Sequence, residues 1–172
     1  MVKGESIIMI MDFVTKKRGV DGLRTLIDRV NEREILFTKA QDIKSNENYP
    51  AKYMVRVLNA AQHVLNSESL LKDMGSYFAN NINMSFKGVT GKYPPKKSVQ
   101  QMVIYAREYL PIFHTGYRTM SDNTYWIRVT KISDAIYPFI DGFFTGMFEK
   151  HGGVVEVKRY RGESSVKYIL KF

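Results

Sequence analysis

The residues best suited to hold a metal or move a proton are three histidines, His63, His114 and His151. None of them forms an i, i+4 pair with another, which is the helical spacing that many zinc sites use. The chain has no cysteine, so thiolate metal sites, disulfides and a cysteine nucleophile are excluded. The histidine spacing therefore argues against a zinc site built on one helix.

Motifs for catalysis are missing from the sequence. There is no G-x-S-x-G elbow, no Walker loop and no G-x-G-x-x-G fingerprint. Gly88 and Gly91 lie in a loop, but no predicted strand precedes them, as a glycine-rich dinucleotide-binding loop requires. Asp141 and Glu149 share one predicted helix but stand about two turns apart, so they do not form the adjacent carboxylate pair of acid–base catalysis. We therefore expect that the chain is not an enzyme.

The segment "VIYAREYLPIFHTGYR" (Val103–Arg118) combines His114 with three tyrosines, and it allows two interpretations. His114 is either a residue at a helix end, favoured by the helix dipole, or a metal ligand. Tyr105 is either an amphipathic core residue or a ligand of iron. Six of the nine methionines fall on apolar helical faces, and they either fill gaps in a core or line an adaptable cavity for a hydrophobic ligand. They are Met9, Met11, Met74, Met84, Met102 and Met147.

Apolar residues at helical spacing predict a helical first half, with Gly19 ending the first helix, Asp21 and Ser67 beginning later ones, and Pro111 near the end of the last. The predicted helical segments are 6–17, 21–30, 51–66, 67–82 and 99–110, with Ser98 as the cap of the last. The stretch 31–50 reads as a connector with one short helical turn. "KGVTGKYPPKK" (Lys87–Lys97) reads as a loop.

The second half reads differently, because β-branched and aromatic residues dominate 123–132 and predict a strand. An apolar helix follows, with Pro138 in its first turns and Gly152 and Gly153 at its end. A hairpin that turns at 161–163 joins the last two strands, and alternation in "SVKYILKF" predicts the final one. The order predicts an α+β fold in one domain, 1–172: a helical half (about 1–115) packed on a small C-terminal antiparallel sheet (about 120–172) with one crossing helix.

The formal net charge is +9 and the isoelectric point is near 9.6. Lys and Arg are scattered in pairs rather than massed on one helix, which favours a solvated basic surface and makes a nucleic-acid partner unlikely on sequence grounds. No apolar run is long enough for a membrane span, and the N-terminus lacks a secretory cleavage pattern. These features, with the absence of cysteine, favour a cytoplasmic location.

Three stretches resemble the heme nitric-oxide/oxygen-binding (H-NOX) domain family, and with their order they cover nearly the whole chain. "MVKGESIIMIMDFV" resembles the opening of the family, "LLKDMGSYFANN" a helix of its distal pocket, and "YPFIDGFFTGMFEKHGGVVEVKRY" its late helix-to-strand block. Two diagnostic features differ. Tyr105 stands where the family has its heme-binding histidine, and "YWIRVTKI" offers Tyr125, Arg128 and Thr130 without the Tyr-x-Ser-x-Arg spacing that grips the heme propionates.

The resemblance implies an internal pocket and a sensory function of the bacterial type. The residues expected to line the pocket or hold a cofactor are Ile10, Phe78, Ile82, Met102, Tyr105, His114 and Arg128, with His114 and Tyr105 as candidate metal ligands. The ligand is expected to be a small hydrophobic molecule, and the signalling partner a kinase, cyclase or chemoreceptor. A heme-based sensor of NO or O₂ with a shifted ligand and a ligand-free protein-interaction module are the alternatives.

Overall fold

The computed structural model describes residues 1–82, 94–151 and 153–172. Its elements, in chain order, confirm the predicted α+β fold. They are β1 (Val2–Lys3), α1 (Gly4–Val30), a 3₁₀ turn (Ala40–Asp42), β2 (Asn48–Tyr49), α2 (Ala51–Leu65), α3 (Glu68–Asn81), α4 (Pro95–Tyr109), β3 (His114–Ser121), β4 (Thr124–Thr130), α5 (Tyr137–His151), β5 (Glu156–Gly162) and β6 (Ser165–Lys171).

Three predicted helix boundaries in the first half of the chain are confirmed. Gly19 has φ +70° and ψ −168°, so the helical path of α1 breaks there as its sequence predicts. Asn66 adopts a left-handed conformation and ends α2. The Ser67 hydroxyl accepts a hydrogen bond from the Leu70 N–H at 3.3 Å, which confirms Ser67 as the N-cap of α3.

The start of α4 differs from the prediction. The helix begins at Pro95 instead of after Ser98, because proline suits the first helical turn and lacks the N–H that would be left unpaired there. Ser98 is instead a buried residue inside the helix, and its hydroxyl donates back to the Pro94 carbonyl at 3.3 Å. Residues 83–93, which include Met84 and the part of the predicted loop with Gly88 and Gly91, lie outside the described residues, as does Gly152.

Four antiparallel strands form the main sheet, in the order β3-β4-β6-β5. The predicted strand and hairpin are confirmed as β4, β5 and β6. Strand β3 was not predicted, and its first residue, His114, was expected either at a helix end or as a metal ligand. After Pro111 the chain turns, with the Phe113 N–H donating to the Leu110 carbonyl, and it enters the sheet at His114. The short β1–β2 pair was also missed.

Helices α3 and α5 touch backbone to backbone. A Cβ on Gly142 would collide with the Lys72 carbonyl of α3, and one on Gly75 would collide with the Phe139 carbonyl of α5. One turn further along α5, a Cβ on Gly146 would meet the Cβ of Ala79 at 3.0 Å. The Ser76 hydroxyl donates to the Gly142 carbonyl at 3.1 Å. Small residues on both helices therefore allow this close contact.

The other side of α5 packs on the inner face of the sheet. Tyr168 of β6 is fully buried, and its ring lies 5.0 Å from Phe144 and 5.6 Å from Phe148, measured between centroids. Phe143 contacts Phe78 of α3 at 5.9 Å. Helix α5 is thus the middle layer between α3 and the sheet. Among the described residues, no helix has the length and apolar character needed to cross a bilayer.

Replacing Gly142 with alanine tests the α3–α5 contact. Alanine gains up to about 1 kcal/mol of helix propensity over glycine, but forcing a methyl group into a packed interface costs about 1 to 3 kcal/mol and more when it meets backbone. We expect Gly142→Ala to lower the free energy of unfolding by about 2 kcal/mol in urea titration. Gly116→Ala is the matched control, because nothing lies within 4 Å of its added Cβ. Equal stability of both variants would contradict the packing described.

Candidate functional site

Four of the seven predicted site residues belong to one continuous buried core. Ile10 of α1, Phe78 of α3, Ile82 at the end of α3 and Met102 of α4 are each at most 1% exposed. The fold thus brings these four side chains together in the apolar core.

Lys150 of α5 closes the end of α3 beside this core. It donates to the Ile82 carbonyl at 3.0 Å and to the Asn80 carbonyl, so it satisfies the C-terminal end of α3. Burial lowers the pKa of Lys150.

Tyr105 stands on α4, one turn before the buried Tyr109, and packs half-buried against the edge of the core. Helix α4 lies against β3 and β4. The Gln100 amide donates to the Tyr117 hydroxyl at 2.7 Å, and Arg107 Nε donates to the Thr115 carbonyl at 2.8 Å. Tyr105 therefore has the amphipathic position that one of its two interpretations predicts.

The structure places His114 and Arg128 away from this core. Ile127 and Val129, on either side of Arg128, are buried on the inner face of the sheet, so Arg128 projects from the opposite face. His114 pairs with Thr130 in register, shares the outer face with Arg128 and is exposed. The interpretation of His114 as a residue at a helix end is wrong. Neither side chain reaches the interior between helices and sheet.

The remaining histidines are also placed outside the expected pocket. His63 is exposed on α2. His151 is buried at the end of α5, where Nε2 lies 2.5 Å from the Ser98 hydroxyl and Nδ1 accepts the Gly153 N–H at 3.3 Å. Because Nδ1 accepts, Nε2 carries the proton and donates to Ser98. The pair joins the end of α5 to α4. Among the described residues no cluster of His, Asp and Glu could hold a metal ion.

A buried charge network, which sequence reasoning missed, joins α3, α5 and β5. The carboxylate of Asp141 is 9% exposed and lies 2.9 Å from Lys72 Nζ and 2.9 Å from Arg159 Nε. Arg159 also donates to the Thr145 hydroxyl at 2.9 Å. The signal in the sequence is a single carboxylate in the otherwise apolar run "YPFIDGFF". Since a buried carboxylate needs partners, that pattern indicates cations on the neighbouring elements.

Tyr168 lies beside this network. Its hydroxyl is enclosed without a hydrogen bond of good geometry to a described residue. Burial, followed by the charge of Asp141, raises the pKa of the Tyr168 phenol well above its usual range. Ionisation of this phenol is therefore disfavoured in the folded protein relative to the unfolded chain.

Five clefts on the described part of the chain have volumes between 190 and 480 Å³, and none is lined by Phe78, Met102 or Tyr105. The 480 Å³ cleft between the end of α1 and α2 has both polar and apolar walls, and Arg29, Arg33, Lys52 and Arg56 are among its lining residues. Glu34 pairs with both Lys52, at 2.9 Å, and Arg56. These five clefts lie on the surface, and none of them is the expected interior pocket.

No protein-family model and no curated protein matches the sequence. Solved structures do match along nearly the whole chain. The unliganded Fe(II) H-NOX protein of K. algicida is 18% identical, with a TM-score of 0.64 over 99% of this chain and 96% of that one. The Fe(II)NO form of the S. oneidensis H-NOX protein is 12% identical, with a TM-score of 0.59 over 99% and 98%. A mutant H-NOX protein of T. tengcongensis is 14% identical, with a TM-score of 0.58 over 99% and 97%.

At these identities the likeness establishes the fold and leaves function to the site itself. The chain has the H-NOX-like fold that its sequence predicts.

Replacing Asp141 with asparagine tests the charge network. Removing one partner of a buried ion pair typically costs about 3 to 5 kcal/mol, but Lys72 and Arg159 both reach solvent, so we expect a loss of about 2 kcal/mol in unfolding free energy. Asp134→Asn is the control, because Asp134 pairs with Arg161 at 2.5 Å while its own side chain is 80% exposed. An equal, small effect of both changes in urea titration would argue against the network.

The stability of the protein at high pH tests the state of Tyr168. A folded pKa raised above the unfolded value means that the contribution of this phenol to stability is complete below about pH 10 and declines above it, where the unfolded chain ionises first. We expect Tyr168→Phe to make the decline between pH 10 and 11 shallower by about 1 kcal/mol. Identical pH dependence of the two proteins would show that the phenol ionises while folded.

Proposed function

We propose that this chain is a sensory domain of H-NOX-like fold that binds a small apolar molecule between its helical half and its sheet. It acts in the cytoplasm, has no catalytic activity of its own, and passes its state to a signalling protein of the kinase, cyclase or chemoreceptor class. The observation that carries the proposal is the H-NOX-like arrangement of nearly the entire chain around one continuous apolar core.

The core has two layers, one formed around α3 and the other around α4, and we place the apolar ligand where they meet. Helix α3 packs on α5 and α1, whereas α4 packs on β3, β4 and β1. Phe78 on the first layer and Met102 on the second are both buried. Aromatic and thioether side chains adapt readily to an inserted hydrophobic molecule. The bond between His151 and Ser98 ties the layers together.

The proposed mechanism is a separation of these two layers. Phe78 and Met102 are buried and line none of these five clefts, so we propose that the ligand enters where the layers move apart. A ligand that binds only the open arrangement shifts the population toward it, in proportion to its unequal affinity for the two arrangements. The partner protein reads the resulting shift of α4 and the sheet against α3 and α5.

Heme-based gas sensing is the second candidate, because several structures that share the fold are described as heme proteins. The described residues do not fit a histidine-bound heme. His63 and His114 are exposed, both ring nitrogens of His151 are engaged, and Arg128 projects from the outer face of the sheet. Of the two candidate metal ligands, Tyr105 alone stands on a helix that packs on the core.

Native mass spectrometry and absorption spectroscopy of the purified full chain separate these candidates. We expect no Soret band, and a native mass that exceeds the sequence mass by one small apolar molecule, which is lost on denaturation. A native mass equal to the sequence mass, with no thermal shift on adding long-chain fatty acids, would contradict the sensory proposal and favour a protein-interaction module without a ligand. A Soret band that changes in Tyr105→Phe but not in the control His114→Ala would establish the heme sensor instead.

A further inference from the structure

The outer face of the main sheet is the surface opposite the helices, and we define it by cross-strand register. Every described residue on it is exposed or half-buried, so the described helices leave it uncovered. Two adjacent rows cross its centre, each running from β3 through β4 and β6 to β5. The rows are Arg118, Trp126, Ile169 and Lys158, followed by Gly116, Arg128, Lys167 and Tyr160.

Positive charge dominates the outer sheet face. It carries five cations, Arg118, Arg128, Lys158, Lys167 and Lys171, against the single carboxylate of Glu156. Lys158 pairs with Glu156 at 3.2 Å, which leaves the others to attract anions. These cations come from four different strands, so the sequence contains no continuous run of positive charge that would predict this surface.

Two of these cations repel each other at the centre of the face. Arg128 and Lys167 are direct cross-strand partners, and like charges in such positions are destabilising. Packing does not require them there, because both project away from the buried core. An anionic group placed between them, such as a phosphate, converts the repulsion into two favourable charge-assisted hydrogen bonds.

Aromatic rings accompany the charges. Trp126 is half-exposed, and Tyr160 is 52% exposed. Lys167 Nζ lies 5.4 Å from the centroid of the Trp126 ring, and Lys167 is the register partner of Tyr160. Each ring is therefore next to a cation. Two strand spacings and two residues separate the rings, a distance of roughly 12 Å.

We propose that the outer sheet face binds single-stranded nucleic acid, with phosphates at Arg128 and Lys167 and bases stacked on Trp126 and Tyr160. Rings beside cations on an open sheet match the base-and-phosphate repeat of an unpaired strand. A duplex hides its base faces in the stack and leaves both rings without partners. An acidic peptide satisfies the cations but gives the rings nothing to stack on.

The test is fluorescence anisotropy with labelled oligo(dT) and oligo(U) of about 10 nucleotides, using the full chain. A second readout is available because Trp126 is the only tryptophan of the protein, so its fluorescence reports stacking directly. We expect both oligonucleotides to bind, to quench Trp126 and to lose affinity as salt rises. Better binding of one oligonucleotide would tell whether RNA or DNA is preferred.

Two variants and a charge-matched control locate the site. Loss of one stacking ring in Tyr160→Ala should weaken binding roughly tenfold. Lys167→Gln should weaken it and reduce the slope of log K against log salt by about 0.7, the value for one lost phosphate contact on a single strand. Arg33→Gln removes the same charge from the exposed connector after α1 and should leave both affinity and slope near those of the unmodified protein.

Several results would overturn the proposal. Absence of binding at low salt rejects it outright. Binding that Arg33→Gln weakens as much as Lys167→Gln does indicates nonspecific attraction to the net charge. Polyglutamate or a DNA duplex that competes as well as the oligonucleotides, together with no effect of Tyr160→Ala, would identify an acidic-polymer surface without base stacking. Circular dichroism of each variant confirms that the fold is retained, so a loss of binding is not a loss of structure.

Discussion

The close contact of α3 with α5 is the constraint on which the rest of the structure depends. Gly75 and Gly142 let the two backbones meet, and any side chain at either position would push the helices apart. Since α5 is the middle layer, its distance from α3 also fixes where Phe143 and Phe144 meet their partners on either side. Burial of those rings supplies the apolar area, but two small residues decide whether it can be buried at all.

The same contact fixes the position of the charged groups. Asp141 directly precedes Gly142 on α5 and is held between Lys72 of α3 and Arg159 of β5. A carboxylate at this depth is tolerated only because both cations reach it while staying partly in water. Replacing the three residues by apolar ones would relieve the desolvation cost but would remove the orientation that charges impose on β5. The network thus sets the position of the edge strand, whereas the glycines set the spacing of the helices.

Much of this fold is predictable from the sequence, because several elements have regular apolar spacing and clear ends. Helices α2 and α3 carry regular apolar spacing and clear ends at Asn66 and Ser67, and β6 alternates strictly because only one of its faces is buried. Strand β3 was missed because "HTGYRTMS" has only one buried residue, Thr115, and therefore no alternating apolar signal. Pairing with β4 holds this segment in the sheet although it lacks an alternating buried face.

Site residues were harder to predict than elements, since a side chain's face depends on register. Arg128 was expected at an interior pocket, but a one-residue offset along β4 separates the core from the outer face, and Arg128 falls on the outer one. His114 was misplaced when its strand was missed. The Asp141 network joins residues far apart in the chain, which spacing cannot reveal. The burial of Ile10, Phe78, Ile82 and Met102 follows from helical periodicity, whereas their role in a pocket stays a prediction.

Strand β4 shows how one segment serves two surfaces without conflict. In "TYWIRVT", Tyr125, Ile127 and Val129 face the helices, while Trp126 and Arg128 face outward. Substitutions on one face leave the side-chain packing of the other untouched, so the interior and the outer sheet face can vary independently. Energetic coupling between them requires an element that contacts both. Strand β6 meets that condition, because Tyr168 packs on Phe144 within the core while Lys167, its neighbour, stands beside Trp126 outside. A shift of α5 relative to the sheet therefore reaches the outer face by two routes, through Tyr168 on β6 and through the Asp141–Arg159 pair on β5, and either contact can carry a coupling free energy between the two surfaces.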